Sequence, residues 1–139
     1  MSFLSRGLSV CKTLVRFSSK NIIMAQAFES GVFSAAFITC PNLETAKALA
    51  RGMVEQNLAA CVNVIPNITS IYTWENKLEE DSEVLLMVKT RSTRVPDISD
   101  YIKKNHPYDV PEVISLKIDQ GMPSYLDFLD KKTVEKTTE

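Results

Sequence analysis

The stretch from Ala59 to Arg91 limits what this chain can fold into more than any other. Its first part, Ala59–Trp74 (AACVNVIPNITSIYTW), alternates with period two and is rich in β-branched and aromatic residues, the pattern of a half-buried strand. The even positions from Ala60 through Val62 and Val64 to Tyr72 and Trp74 read as one face. The second part, Glu83–Arg91 (EVLLMVKTR), sets Val84, Leu86 and Val88 against Leu85 and Met87, and so apolar a run predicts burial on both faces. Between them ENKLEEDS, Glu75 to Ser82, crowds Glu75, Glu79, Glu80 and Asp81 into what reads as a solvated hairpin end. A strand is usually about 5 or 6 residues long, so this ribbon is oversized. Pro66 cannot donate a ladder hydrogen bond, which predicts a bulge or an edge there. A long apolar edge invites pairing unless it is covered, so the excess is expected to pair with other copies of the chain.

The 139 residues fit one domain. Residues 1–28 hold Arg6, Lys12, Arg16 and Lys20 and no acid. Taking those four from the 16 bases leaves 12 against 17 acids. An acidic body without a basic stripe argues against nucleic acid as a partner. No apolar run approaches the ~20 residues of a transmembrane helix. Cys11, Cys40 and Cys61 form no CxxC pair and no disulfide framework. Asn67-Ile68-Thr69 fits a glycosylation acceptor, but within a strand pattern it reads as chance.

The first 28 residues are rich in serine (Ser2, Ser5, Ser9, Ser18, Ser19). Wound as a helix, Leu4, Leu8, Cys11 and Val15 share one side, and Lys12, Arg16 and Lys20 another. This composition predicts a mitochondrial transit leader over 1–28, ahead of a single domain over 29–139. A secretory signal ranks lower, because bases interrupt every apolar stretch. The alternatives are a disordered tail and a cytoplasmic product whose translation starts at Met24.

After the leader, Val32–Thr39 reads as a buried strand, stopped by Cys40-Pro41-Asn42. Asn42 is placed to cap a helix whose stripe is Leu43, Ala46, Leu49, Ala50, Met53 and Val54, ending at Asn57. Beyond the ribbon, Thr93 is the expected cap of a second helix. It has Pro96 in its first turn, a stripe of Val95, Ile98 and Ile102, and a stop at Asn105-His106-Pro107. A loop, His106–Pro111, leads to a last strand, Glu112–Asp119. Gly121-Met122-Pro123 then breaks the chain before a short helix marked by Tyr125, Phe128 and Leu129, and a frayed tail from Lys131. The order β-α-β-β-α-β plus a terminal helix predicts an α+β, ferredoxin-like sandwich with both main helices on one sheet face. The other face also carries apolar residues, and partner subunits are the expected cover.

The chemistry-bearing residues are few. His106 is the single histidine, and there is no Gly-rich phosphate loop and no HxH, CxxC or HExxH arrangement. An enzyme has little to build on, and neither does a zinc site with four protein ligands. Cys40, Cys61, His106 and Glu112 supply sulfur, nitrogen and oxygen donors of the kind copper accepts. Burial as small apolar groups is the competing role for both cysteines. A second set, Tyr72, Trp74, Lys89, Tyr108 and Glu112, suits either a small anion-binding cleft or a subunit contact.

Five motifs stand in register: TCPN at Thr39–Asn42, LAACVN at Leu58–Asn63, IYTWENKLEED at Ile71–Asp81, VKT at Val88–Thr90 and HPYDVPE at His106–Glu112. Together they resemble the CutA divalent-cation tolerance family over about Phe33–Leu129. The resemblance implies a ferredoxin-like protomer, a homotrimer built through the long hairpins and similar in assembly to the PII signalling trimers, and a link to copper and other divalent cations. It also implies an alternative: a trimeric scaffold or assembly factor for a protein partner, since animal members of the family are tied to anchoring and processing of acetylcholinesterase. Carried over residue by residue, it points to Cys61, Trp74, Lys89, His106, Tyr108 and Glu112. The family's metal role rests on cysteine, histidine and glutamate; its bacterial cysteine falls near Ile38, two positions before Cys40. The family's hairpin-turn glycine is Asn76 here, a residue that tolerates a left-handed backbone.

Overall fold

The computed structural model describes residues 27–134. The leader expected over 1–28 lies, as far as residue 26, outside the described residues. The elements are β1 (Phe33–Cys40), α1 (Leu43–Glu55), β2 (Cys61–Trp74), β3 (Lys77–Arg91), α2 (Val95–Asn105), β4 (Ile114–Lys117) and α3 (Pro123–Lys132). The strands form one antiparallel sheet in the order β2-β3-β1-β4, the ferredoxin-like arrangement the element order predicts.

Asn42 caps α1 as expected: its backbone is extended and its Oδ1 accepts from the Thr45 N–H at 2.8 Å. Asn57 follows the helix with φ 57°, a left-handed turn that asparagine tolerates. Of the expected stripe, Ala46, Leu49, Ala50 and Met53 are buried, while Leu43 and Val54 are exposed. Thr93 does not cap α2. A 3-10 turn over Ser92–Arg94 carries the chain into helical dihedrals early, so Arg94 becomes the N-cap, with no side-chain capping bond. Its guanidinium instead reaches Asp97 at 2.8 Å.

Ala36, Ile38 and Cys40 of β1 and Val84, Leu86 and Val88 of β3 face α1 and α2, where they close over Met53, Ile98 and Ile102. The opposite sheet face is covered by α3 at one end only, where Leu129 packs with Phe33 and Ala60. Arg91 fastens this helix by donating to the carbonyl oxygens of Thr133 and Asp130 and pairing with the Asp130 carboxylate. Thr133 is fully buried, so the chain stays packed two residues past Lys131, where the sequence predicts fraying to begin; the tail from residue 135 lies outside the described residues. Along the rest of that face Phe37, Leu85 and Met87 are half-buried, and Ile114 and Leu116 of β4 are 58% and 66% exposed. The double burial expected for β3 is therefore complete on the helix side alone.

The ribbon is longer than the sequence indicates. Residues 75–82 are not a loop: the ladder runs on through Ser70↔Asp81 and Tyr72↔Glu79 to Trp74↔Lys77. Glu75 and Asn76 alone make the turn, with φ of 47° and 61°, the left-handed pair of a tight type I′ hairpin. The bulge signalled by Pro66 is present. Ile65 pairs with Leu85 and Ile68 with Glu83, so β2 carries one residue more than β3 between those rungs, with Asn67 at φ 62°. One extra residue reverses the alternation of faces. Before the bulge, Cys61, Asn63 and Ile65 share the face of Lys89, Met87 and Leu85. After it, Ser70, Tyr72 and Trp74 share the face of Asp81 and Glu83. Tyr72 and Trp74 thus point away from the side of Val62 and Val64, with which uninterrupted alternation would group them.

Candidate functional site

The bulge, the ribbon and the loop after α2 build one cleft. Tyr72 and Trp74 of β2, Asp81 and Glu83 of β3, Thr39 at the end of β1 and loop residues Tyr108, Asp109, Val110 and Glu112 line about 560 Å³ of space. The loop lies over the sheet because His106 fastens it. The Tyr108 N–H donates to His106 Nδ1 at 3.1 Å, which leaves the ring hydrogen on Nε2. Nε2 then donates to the Thr39 carbonyl oxygen at 2.8 Å. His106 is only 8% exposed, and its ring lies 4.8 Å from that of Tyr108. Both nitrogens are thereby spent on positioning the loop.

Two tyrosine–carboxylate pairs set the electrostatics. Tyr108 donates its hydroxyl to Glu83 Oε1 at 2.8 Å, and Tyr72 donates to Asp81. The Tyr72 phenol is pushed up to about 12, chiefly by the bond to the Asp81 carboxylate. Burial first, and then the bond to Glu83, raises the Tyr108 phenol. Both hydroxyls therefore stay protonated donors. Glu83 itself is 7% exposed, and among the described residues no Lys or Arg forms an ion pair with it.

The sequence-predicted site residues divide into two groups. Tyr72, Trp74, Tyr108 and Glu112 meet in the cleft. Lys89 does not join them: it stands six residues from Glu83 along β3, ~20 Å away at ~3.3 Å per residue. There its ammonium contacts Cys61 Sγ at 3.6 Å and bonds to Asn63. Without Lys89 the cleft lining is acidic, which suits a cation better than the anion that the sequence reading weighed against a subunit contact. The copper donors also separate. Cys40 is fully buried on the helix side, its thiol pushed up to about 11 by burial and then by the Glu83 charge. Cys61 lies at the Lys89 end, His106 behind the loop and Glu112 in the cleft. Among the described residues no three His, Cys, Asp or Glu side chains gather as a metal site. Sequence reasoning missed Asp81, assigned to a solvated tip, and Glu83, read as a strand start. The usable signal was Pro66: a bulge there turns positions 70, 72 and 74 toward 81 and 83.

Comparison with known proteins gives a consistent picture. Residues 34–132 match the family described as CutA1 divalent ion tolerance protein. Protein CutA homolog of Xenopus laevis is 59% identical over 105 residues, covering 76% of this chain and 70% of that protein. Protein CutA of Homo sapiens is 55% identical over 74% of this chain, but the match spans only 58% of the human protein. The crystal structure of CutA1 from Oryza sativa superposes with a TM-score of 0.73 at 44% identity, covering 76% of this chain and 98% of that one.

Proposed function

The chain belongs to the CutA1 divalent ion tolerance family, and on that premise we propose that it is a homotrimer that binds divalent cations, copper(II) among them, in the cell's response to metal ions. Its role on this reading is binding, not catalysis. The observation that carries the proposal is the sheet face opposite α1 and α2. Ile114 and Leu116 stand 58% and 66% exposed there beside half-buried Phe37 and Met87. An apolar surface of this kind calls for a partner, and the acidic cleft opens on the same face, so copies that cover the face also complete the cleft. The donors within one protomer do not fit a closed copper site, because His106 is spent on Thr39 and Tyr108 and Cys40 is sealed in the core. The carboxylates of the cleft fit weak binding of a divalent ion, with further ligands supplied by a neighbouring copy.

Sedimentation at micromolar protein tests the assembly: a trimer is expected for the wild type and dissociation for Leu116→Asp, whereas a wild-type monomer refutes the proposal. Copper(II) titration tests the site. Glu112→Gln is expected to weaken binding, and equal binding by Glu112→Gln and wild type removes the cleft from it. His106→Ala gives the corresponding test of the histidine.

A second reading, a scaffold that holds another protein, draws on the far end of the ribbon, where Ile71, Trp74 and Leu78 are 65%, 52% and 78% exposed. Retention of a bound partner by a copper-blind Glu112→Gln trimer would favour it. The basic, serine-rich leader is read as mitochondrial; a reporter fused to residues 1–30 is expected to localise there, and a diffuse signal overturns that.

A further inference from the structure

We propose that the cleft between the ribbon and the 107–112 loop binds a small alkylammonium ion, a ligand distinct from the divalent metal. The argument starts at Glu83. The residue is 7% exposed, the Tyr108 hydroxyl donates to its carboxylate, and no cationic side chain among the described residues pairs with it. A carboxylate withdrawn from water without a countercharge is costly, and folded proteins pair such groups. Within the protomer the site is one positive charge short. Its other carboxylates, Asp81, Asp109 and Glu112, add to the deficit, and no basic side chain lines the space.

The shape of the cleft distinguishes between cations. A bare metal ion needs several donors converging on one point; within one protomer no three of these side chains do so, and a metal there depends on ligands from a neighbouring copy. The space of about 560 Å³ fits a molecule of several heavy atoms. Three aromatic residues, Tyr72, Trp74 and Tyr108, are part of its lining. Aromatic faces attract cations through their negative quadrupole, and alkylated ammonium groups, which are weakly hydrated, use such walls best. The hydroxyls of Tyr72 and Tyr108 are bound to Asp81 and Glu83, which fixes both rings before any ligand arrives. Rings that are already oriented lose little freedom on binding.

Trp74 is the only tryptophan in the chain and lines the cleft, so its fluorescence reports occupancy directly. The test is a titration of the full-length protein with tetramethylammonium chloride at constant ionic strength, with EDTA present to remove metal. A saturable change at millimolar probe is expected, with none from tert-butanol, an uncharged molecule of similar size. Tyr72→Leu is expected to weaken binding roughly 2- to 30-fold, the range of one cation–π contact. Glu83→Gln is expected to weaken it about tenfold; if that variant does not fold, Asp81→Asn and Glu112→Gln provide the same test with losses of about threefold each. A response without saturation, an equal response to tert-butanol, or carboxylate variants that bind as wild type overturn the proposal. So does a response seen only in dissociated Leu116→Asp, which would mean that a basic side chain of a sister subunit already fills the cleft. Because EDTA is present, failure here leaves the copper titration standing, and the reverse holds too.

Discussion

Replacing Tyr108 with Phe removes a single oxygen, and the structure sets what that should cost. The lost hydroxyl donates at 2.8 Å to Glu83 Oε1, and Glu83 is 7% exposed. A hydrogen bond to a charged group contributes about 1.5–3 kcal/mol. Tyr108 is 37% exposed, so water reaches part of the site, and the lower end, about 1.5 kcal/mol, applies. In a Glu83→Gln background the bond becomes neutral and about half as strong, so the same Tyr108→Phe change should cost about half as much. For a domain of this size the wild-type loss corresponds to a fall of roughly 6 °C in Tm. The assay is guanidinium unfolding followed by Trp74 emission at fixed protein concentration, on wild type, both single variants and the double. Alkaline stability gives an independent reading. The Tyr108 phenol is raised above its ordinary 10, so the folded state holds that proton more tightly than the unfolded chain. Its contribution is fully present below pH 10 and is lost as the pH climbs through the folded value. Tyr72, pushed up to about 12, has the same sign over pH 10 to 12. Wild type should therefore lose stability above pH 10 more steeply than Tyr108→Phe. A Tyr108→Phe variant within about 0.3 kcal/mol of wild type, or one with the same cost in both backgrounds, would refute the account of this pair, since the uncertainty of such cycles is of that order.

Deleting Asn67 takes out the one extra residue and leaves every rung of the ladder in place, so Tyr72 and Trp74 should keep the face of Glu83 and Trp74 emission should still respond to ligands of the cleft; loss of the response in a folded variant would refute this account of the bulge. Cys40, with its thiol pushed up to about 11 and fully buried, should resist alkylation at pH 8 in the folded protein while half-buried Cys61 reacts. Peptide mapping that finds Cys40 modified first would contradict this. Ile102→Ala, at a fully buried position between α2 and the sheet, should cost about 2–5 kcal/mol in denaturant unfolding, and a loss under 1 kcal/mol would mean that the site collapses without a cavity.

The elements and their order were legible because each carries its own local signal. Asn42 marks a helix start, Pro96 fits a first turn, and period two runs through β2 and β3. The errors lie where a contact distant in sequence decides. Glu79, Glu80 and Asp81 read as a solvated tip because acids rarely fill strands, yet Glu75 and Asn76 close the turn alone and leave those acids as rungs of the ladder. Thr133 read as tail because nothing local shows that Arg91, 42 residues earlier, binds its carbonyl oxygen. Tyr72, Trp74, Tyr108 and Glu112, grouped in the sequence by residue type, line one cleft. Lys89 was misplaced, and Asp81 and Glu83 were missed, because the bulge changes which residues share a face. His106 stood out as the only histidine, a count that says nothing about where its two nitrogens go. The structure directs them to Thr39 and Tyr108.

The two-residue turn at Glu75–Asn76 bears on how the molecule is made. Rungs next to so short a turn close almost no loop, so β2 and β3 can zip from the tip outward within microseconds. β1 and β4, which pair across long sequence separations, must join later. A nascent chain would thus display a finished ribbon before β1 and β4 have gathered against it.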